Sequence, residues 1–289
     1  MAPRFVEGAG GVPIATWELG GTGPPLLVAH ATGFHALCMR AMARGLAEEH
    51  RVVALDLRGH GHSGTPPLDP EEDGRAPSMA WGTFAEDVLA VVDALGLEGA
   101  AAFGHSCGGA VVLLAEQRRP GTFTGIFTYE PVVMRPDWSG IAQERAGRLA
   151  EGARRRRQVF ESRDAALQHY RSRPPLSSLS DDVLADYVEH GFADQPDGSV
   201  RLRCDPQAEA ATYSTAPHTG VWEHLPEVSC PTTFACGGPG TTFGVDAMAD
   251  FAARAQHGRV EEHGHLGHFG PLEQPEEMAE AVLRAISLP

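Results

Sequence analysis

Short, wholly apolar runs alternate along residues 1–130 with longer runs whose apolar side chains recur every third or fourth position. Residues 13–18 and 25–30 read as strands. The second carries no charged residue, so it reads as a central strand covered on both faces. Residues 36–49 show helical spacing, and 51–57 form the next buried strand. Over 81–96, Phe84, Val88, Val91, Val92 and Leu95 fall on one side of a helix. The run 100–106 is a strand ending on a glycine turn, 108–119 is a helix stopped by Pro120, and 124–130 is a further strand. The pattern resumes late, with strands at 231–237 and 258–264 and helices at 245–256 and 275–287. Such alternation predicts a parallel sheet with helices on both faces.

Between Glu130 and about Pro226 the alternation breaks. Stretches 141–161, 164–172, 180–190 and 206–214 have helical spacing and much charge, and none of this region reads as a strand. The simplest arrangement is a core of residues 1–131 and 227–289 with a helical insertion over 132–226. That insertion would cap the carboxyl edge of the sheet, where ligands of open α/β sheets bind. Residues 171–180 read as a loop within it.

Composition narrows the partners. The 289 residues carry 38 acids against 23 bases, a net charge of -15. No residue is lysine or asparagine, which reads as the codon usage of a GC-rich bacterial genome. Without lysine there is no Schiff-base chemistry and no P-loop. An acidic surface repels nucleic acid and anionic membranes. Cys38, Cys107, Cys204, Cys230 and Cys236 are scattered without a CxxC pair, which reads as reduced thiols in a cytoplasmic protein. Neither a signal peptide nor a membrane span is expected, because no apolar leader or run of about eighteen apolar residues occurs.

Gly104-His105-Ser106-Cys107-Gly108 has the form G-x-S-x-G between a buried strand and a helix. A strand that turns at once into a helix forces the serine into a strained backbone and pushes its hydroxyl clear. Side chains two residues to either side would collide, so glycine fits at 104 and 108. A serine hydroxyl needs a base. The best candidate is His268, on a loop between the last strand and the last helix. His263 and His265 compete but sit nearer the strand end. The three histidines lack the helical spacing of a metal site, so no metal is expected.

The order strand, His-x-x-Gly, strand, Asp-Leu-Arg-Gly-His-Gly-x-Ser, G-x-S-x-G and late Gly-His resembles the α/β-hydrolase superfamily along the whole chain. The resemblance implies that family's fold: a mostly parallel twisted sheet flanked by helices, with an inserted helical cap. It implies Ser106 as nucleophile and His268 as general base and acid. Residues 56–63 match a structural loop of the family, with Asp56 and Arg58 tying the turn together. The oxyanion hole would use the amides of Cys107 and Thr32. Ala31 stands where the family usually has glycine. The Cys107 thiol is free to line the pocket.

The third catalytic member is open. The family most often places an aspartate after the strand that follows the cap, and residues 236–242 hold no acid. Glu130 ends the preceding buried strand at the catalytic edge, and a lone buried glutamate needs a partner such as His268. Asp246 lies farther along the later loop, and the absence of any functional acid is the third option.

Arg154–Arg157 read as a solvated helix face, or as a seat for a substrate carboxylate or phosphate. Trp138, Phe160, Tyr170, Tyr187, Phe192, Tyr213 and Trp222 all fall in the insertion, which favours an apolar or aromatic substrate group. Phe34, His35 and Trp138 are the candidate substrate contacts. Together these features predict a cofactor-free serine hydrolase of a small ester, lactone or thioester, and leave room for a homodimer. Epoxide-hydrolase-like, carbon–carbon hydrolase, perhydrolase and acyltransferase chemistry, or a non-catalytic binding role, are the alternatives.

Overall fold

The apolar runs form the middle of a sheet because both of their faces are covered. In a computed structural model, residues 1–68, 77–238 and 241–287 are described. The first half comprises β1 (Arg4–Glu7), β2 (Pro13–Gly20), β3 (Pro25–Ala29), α1 (Arg40–Leu46), β4 (Arg51–Leu55), α2 (Trp81–Leu95), β5 (Ala100–His105), α3 (Cys107–Arg118) and β6 (Phe123–Tyr129). After it come α4 (Ser139–Arg154), β7 (Val159–Phe160), α5 (Arg163–Arg171), α6 (Asp181–Gly191), β8 (Phe192–Asp194), β9 (Val200–Leu202) and α7 (Pro206–Thr215). The chain then returns through β10 (Thr232–Gly237), α8 (Val245–Arg254), β11 (Gly258–His263), α9 (Gly270–Glu273) and α10 (Pro275–Ile286).

The main sheet runs β1-β2-β4-β3-β5-β6-β10-β11. Strands from β4 to β11 pair in parallel, while β1–β2 and β2–β4 are antiparallel. Successive side chains of β3 and β4 leave on opposite faces. Leu27 and Val53 pack with Phe84 and Val111 on one side, and Leu26 and Val52 pack with Leu46 and Val282 on the other. This is an α/β-hydrolase fold with helices on both faces.

Three local readings change. β1 has one buried residue, Val6, too little to show alternation. Residues 36–49 divide into a 3-10 turn at Ala36–Met39 and α1. The insertion is not wholly helical: β7, β9 and β8 form a small antiparallel sheet within it. Its strands span two or three residues, so no period is visible in sequence. Phe160 and Phe192 join it edge to face, with ring centroids 5.7 Å apart.

The loop after β4 is fixed from two sides. Asp56 accepts hydrogen bonds from the Trp17 indole and from the amides of Ala36 and His62. Arg58 reaches instead to Asp87 on α2, so the two residues tie the turn to different elements and not to each other.

Candidate active site

The elbow sits where β5 turns into α3. Ser106 has φ +55° and ψ −114°, outside the ordinary regions for a side-chain-bearing residue. Such a conformation costs on the order of 1–3 kcal/mol and needs support. The support is backbone: the Ser106 amide donates to Tyr129 O at 2.9 Å, and Val132 and Ala110 amides donate to Ser106 O. A Cβ at Gly104 would lie 2.6 Å from Gly108 O, and one at Gly108 would lie 2.3 Å from Ala29 O. Gly108→Ala therefore has no flexible neighbour to displace. We expect it to cost more than about 2 kcal/mol of stability and to lower turnover at least about a hundredfold, read by melting and steady-state assays.

β6 is followed at once by a second unusual residue, Glu130, with φ +44°. Its carboxylate is fully buried. Oε1 accepts from the Gly237 amide at 3.1 Å, and Oε2 accepts from the Thr242 amide at 2.9 Å and from His268 Nδ1 at 2.7 Å. Burial alone would raise its pKa. The His268 hydrogen bond and charge, with the two amides, outweigh that and hold the carboxyl below its usual value. Asp246 is instead exposed in the first turn of α8. His263 and His265 both turn to Glu277, at 3.0 and 2.9 Å.

The His268 loop is held from beneath. The Tyr129 hydroxyl donates to Gly267 O, and Glu273 accepts from the Gly267 amide. His105 Nε2 lies 2.8 Å from His268 O, so that nitrogen carries the proton.

Burial, aided by the charge of His268, drives His105 down to about 3, and burial does the same to His35. Both rings are neutral in the folded protein, whereas unfolded histidine takes its proton near about 6.5. Their contribution to stability is intact above that pH and is lost as pH falls towards about 3. By pH 5.5 each removes on the order of 1 kcal/mol. The urea midpoint should fall between pH 7.5 and 5.5, and an unchanged midpoint contradicts the burial of neutral rings.

Thr32 and Phe34 line one cavity with Ser106 and His268. Cys107 opens α3, so its amide has no helical carbonyl to bind. Its thiol does not line the cavity. It is buried in the core, touches the Thr32 side chain and is pushed up to about 12 by burial. His35 is likewise not a cavity residue: it stacks on Tyr187 and bonds Tyr187 O and Cys38 Sγ. Nor is Trp138, which stacks on Phe243 beneath Arg135. The cap aromatics that reach the cavity are Tyr170, Tyr187 and Tyr213.

The cavity holds about 510 Å³. Val132, Met134, Leu149 and Leu176 supply apolar wall. Of the four-arginine run, Arg154 and Arg155 pair with Glu151, and Arg157 with Glu161, near the surface. Arg156 turns inward, binding Glu209 and the Tyr187 hydroxyl.

The profile of the Alpha/beta hydrolase family matches residues 26–281. The chain belongs to the alpha/beta hydrolase family. The esterase YbfF of Escherichia coli K12 is 22% identical over 276 residues, covering 91% of each chain. Among solved structures, E-2-(acetamidomethylene)succinate hydrolase superposes with a TM-score of 0.81 at 19% identity, covering 99% of both chains. A thermophilic esterase from Thermogutta terrifontis, in a malate-bound structure, superposes with a TM-score of 0.72 at 22% identity over the full length of both. The chain is thus an enzyme of the hydrolase class, and no helix among its described residues is long and apolar enough to cross a membrane.

Sequence reasoning missed several residues of this hydrolase's site. Arg145, Glu209 and Arg173 come from three parts of the insertion, and no spacing links them, while Arg156 was offered only as one of the Arg154–Arg157 run. His105 was readable only as the x of the elbow. Its signal was position: a strand-end residue next to the serine, on the side where β6 and the His268 loop converge.

Proposed function

We propose that this hydrolase cleaves an ester, thioester or lactone of a small molecule through an acyl-enzyme on Ser106. The observation that carries the reading is the bond from His268 Nδ1 to Glu130 Oε2, 2.7 Å long, at a carboxylate already gripped by two amides. That bond keeps the proton on Nδ1 and leaves Nε2 as the base. Nε2 takes the Ser106 proton as Oγ attacks the carbonyl carbon. The tetrahedral oxyanion is met by the amides of Thr32 and Cys107, each such donor being worth about 10²–10³ in rate. The bond to the leaving group breaks, and that group takes the proton from His268. Water then attacks the acyl carbonyl, giving one proton to His268 and returning Ser106 as the acid product departs.

Residues 132–226 act as the cap that closes the cavity, over a core of 1–131 and 227–289. The similarity to an esterase supports ester cleavage. Ser106 stands where epoxide hydrolases and haloalkane dehalogenases use aspartate, which disfavours those chemistries. Five buried free thiols support a cytoplasmic setting. A fluorophosphonate probe should label the protein and fail to label Ser106→Ala. A folded wild type that takes no label sinks the reading of Ser106 as an acylated nucleophile.

A further inference from the structure

Most arginines of this acidic chain face a carboxylate. Of those lining the cavity, Arg148 pairs with Glu144 and Arg156 with Glu209. Arg145 and Arg173 line the same cavity, and neither has a carboxylate partner among the described residues. Arg145 is half-buried on α4 and gives N–H groups to Thr242 O and Thr242 Oγ1, at 3.3 and 3.1 Å. A guanidinium has five N–H donors, so the rest of the fork stays open. Arg173 is exposed and gives Nη1 to the His169 ring at 2.9 Å. It also lines an adjoining hollow with Arg155, Arg156 and Arg157.

A chain of net charge -15 has acids to spare for these two positions. For the half-buried Arg145, a cation left without a counter-charge beside an apolar wall is costly unless something else brings the anion, whereas the exposed Arg173 stays hydrated at the rim. The only acid lining the cavity among the described residues, Glu209, is already taken by Arg156. The cavity is therefore cationic in a protein that otherwise repels anions.

We infer that the substrate carries a carboxylate besides the bond that is cleaved, with Arg173 drawing it in from the rim and Arg145 seating it in the wall. The inference rests on the serine-hydrolase reading and deepens it. Rim charge acts over distance and is screened by salt, whereas a seated fork holds the bound anion. Thr242 also links Arg145 to the amide that grips Glu130, so the anion seat and the catalytic acid share one loop.

The test compares mono-4-nitrophenyl adipate with neutral 4-nitrophenyl hexanoate, in wild type and in Arg145→Gln, Arg173→Gln and Arg44→Gln. Arg44 is a surface arginine paired with Asp182 and controls for net charge. Wild type should favour the hemiester at least about tenfold in kcat/KM at low salt. Arg145→Gln and Arg173→Gln should each erase most of that ratio, chiefly through KM, and Arg44→Gln should leave it. A disturbed Glu130 loop would slow both esters alike and leave the ratio intact, so the ratio isolates recognition. Adipate should also protect Ser106 from the fluorophosphonate in wild type, and less well in either cavity variant. Equal kcat/KM for the two esters, a ratio indifferent to both variants, or protection by inorganic phosphate but not adipate overturns the inference. Failure of labelling itself counts against the serine-hydrolase reading instead.

Discussion

Glu130→Gln should lower kcat by about three to four orders of magnitude with little change in KM, in a protein that remains folded. The substitution keeps the length and shape of the side chain. It removes the negative charge that stabilises the imidazolium formed when His268 takes the Ser106 proton. It also removes one of the acceptors that Gly237, Thr242 and His268 share at this buried carboxylate. An amide placed there can turn its NH₂ towards His268 and select the wrong tautomer. Steady-state kinetics with a chromogenic ester and circular dichroism give the answer together. A variant that retains more than about a tenth of wild-type kcat removes Glu130 from the catalytic group.

The largest effect on stability is expected far from Ser106. Asp87→Ala should cost about 3–5 kcal/mol, because it leaves the Arg58 guanidinium buried without its counter-charge. Both side chains are at most 2% exposed. Arg58 grips Asp87 through two bonds of 2.6 and 2.7 Å, and gives two further N–H groups to Ala9 O and Ser78 O. Asp87 in turn receives the Ala9 amide. One cluster thus joins the loop after β4, helix α2 and the turn after β1. Replacing the pair together, as Arg58→Met with Asp87→Leu, should recover much of the loss, since no lone charge is left. Urea denaturation measures both, and a loss under about 1 kcal/mol for Asp87→Ala contradicts this account of the cluster.

Different signals made different parts legible. The parallel sheet could be read because strands buried on both faces are continuously apolar, as in β3 and β5. The elbow could be read because backbone crowding leaves glycine no substitute at 104 and 108. The position of Glu130 was legible through cost: an acid at the end of a buried strand needs a partner, and the structure supplies His268. The insertion resisted because its strands are too short for a period and its residues meet the core only in three dimensions. Arg154–Arg157 could not be apportioned as one helix face, because α4 ends at Arg154 and the next three residues leave it through a turn, where no helical period says which one faces inward. His35, beside the oxyanion loop, and Trp138, an aromatic of the insertion, read as substrate contacts, yet each ring is occupied by another ring. Nearness to a catalytic loop in sequence does not say which way a side chain leaves the backbone.

The central claim is that Ser106 is acylated during turnover. Mixing the protein with 4-nitrophenyl acetate, quenching within milliseconds and mapping the acetyl group by peptide mass spectrometry tests it directly. The account predicts the acetyl group on Ser106, absent in Ser106→Ala and nearly absent in Glu130→Gln. An acetyl group on the adjacent Cys107, whose buried thiol is pushed up to about 12, or hydrolysis unchanged in Ser106→Ala, would contradict it.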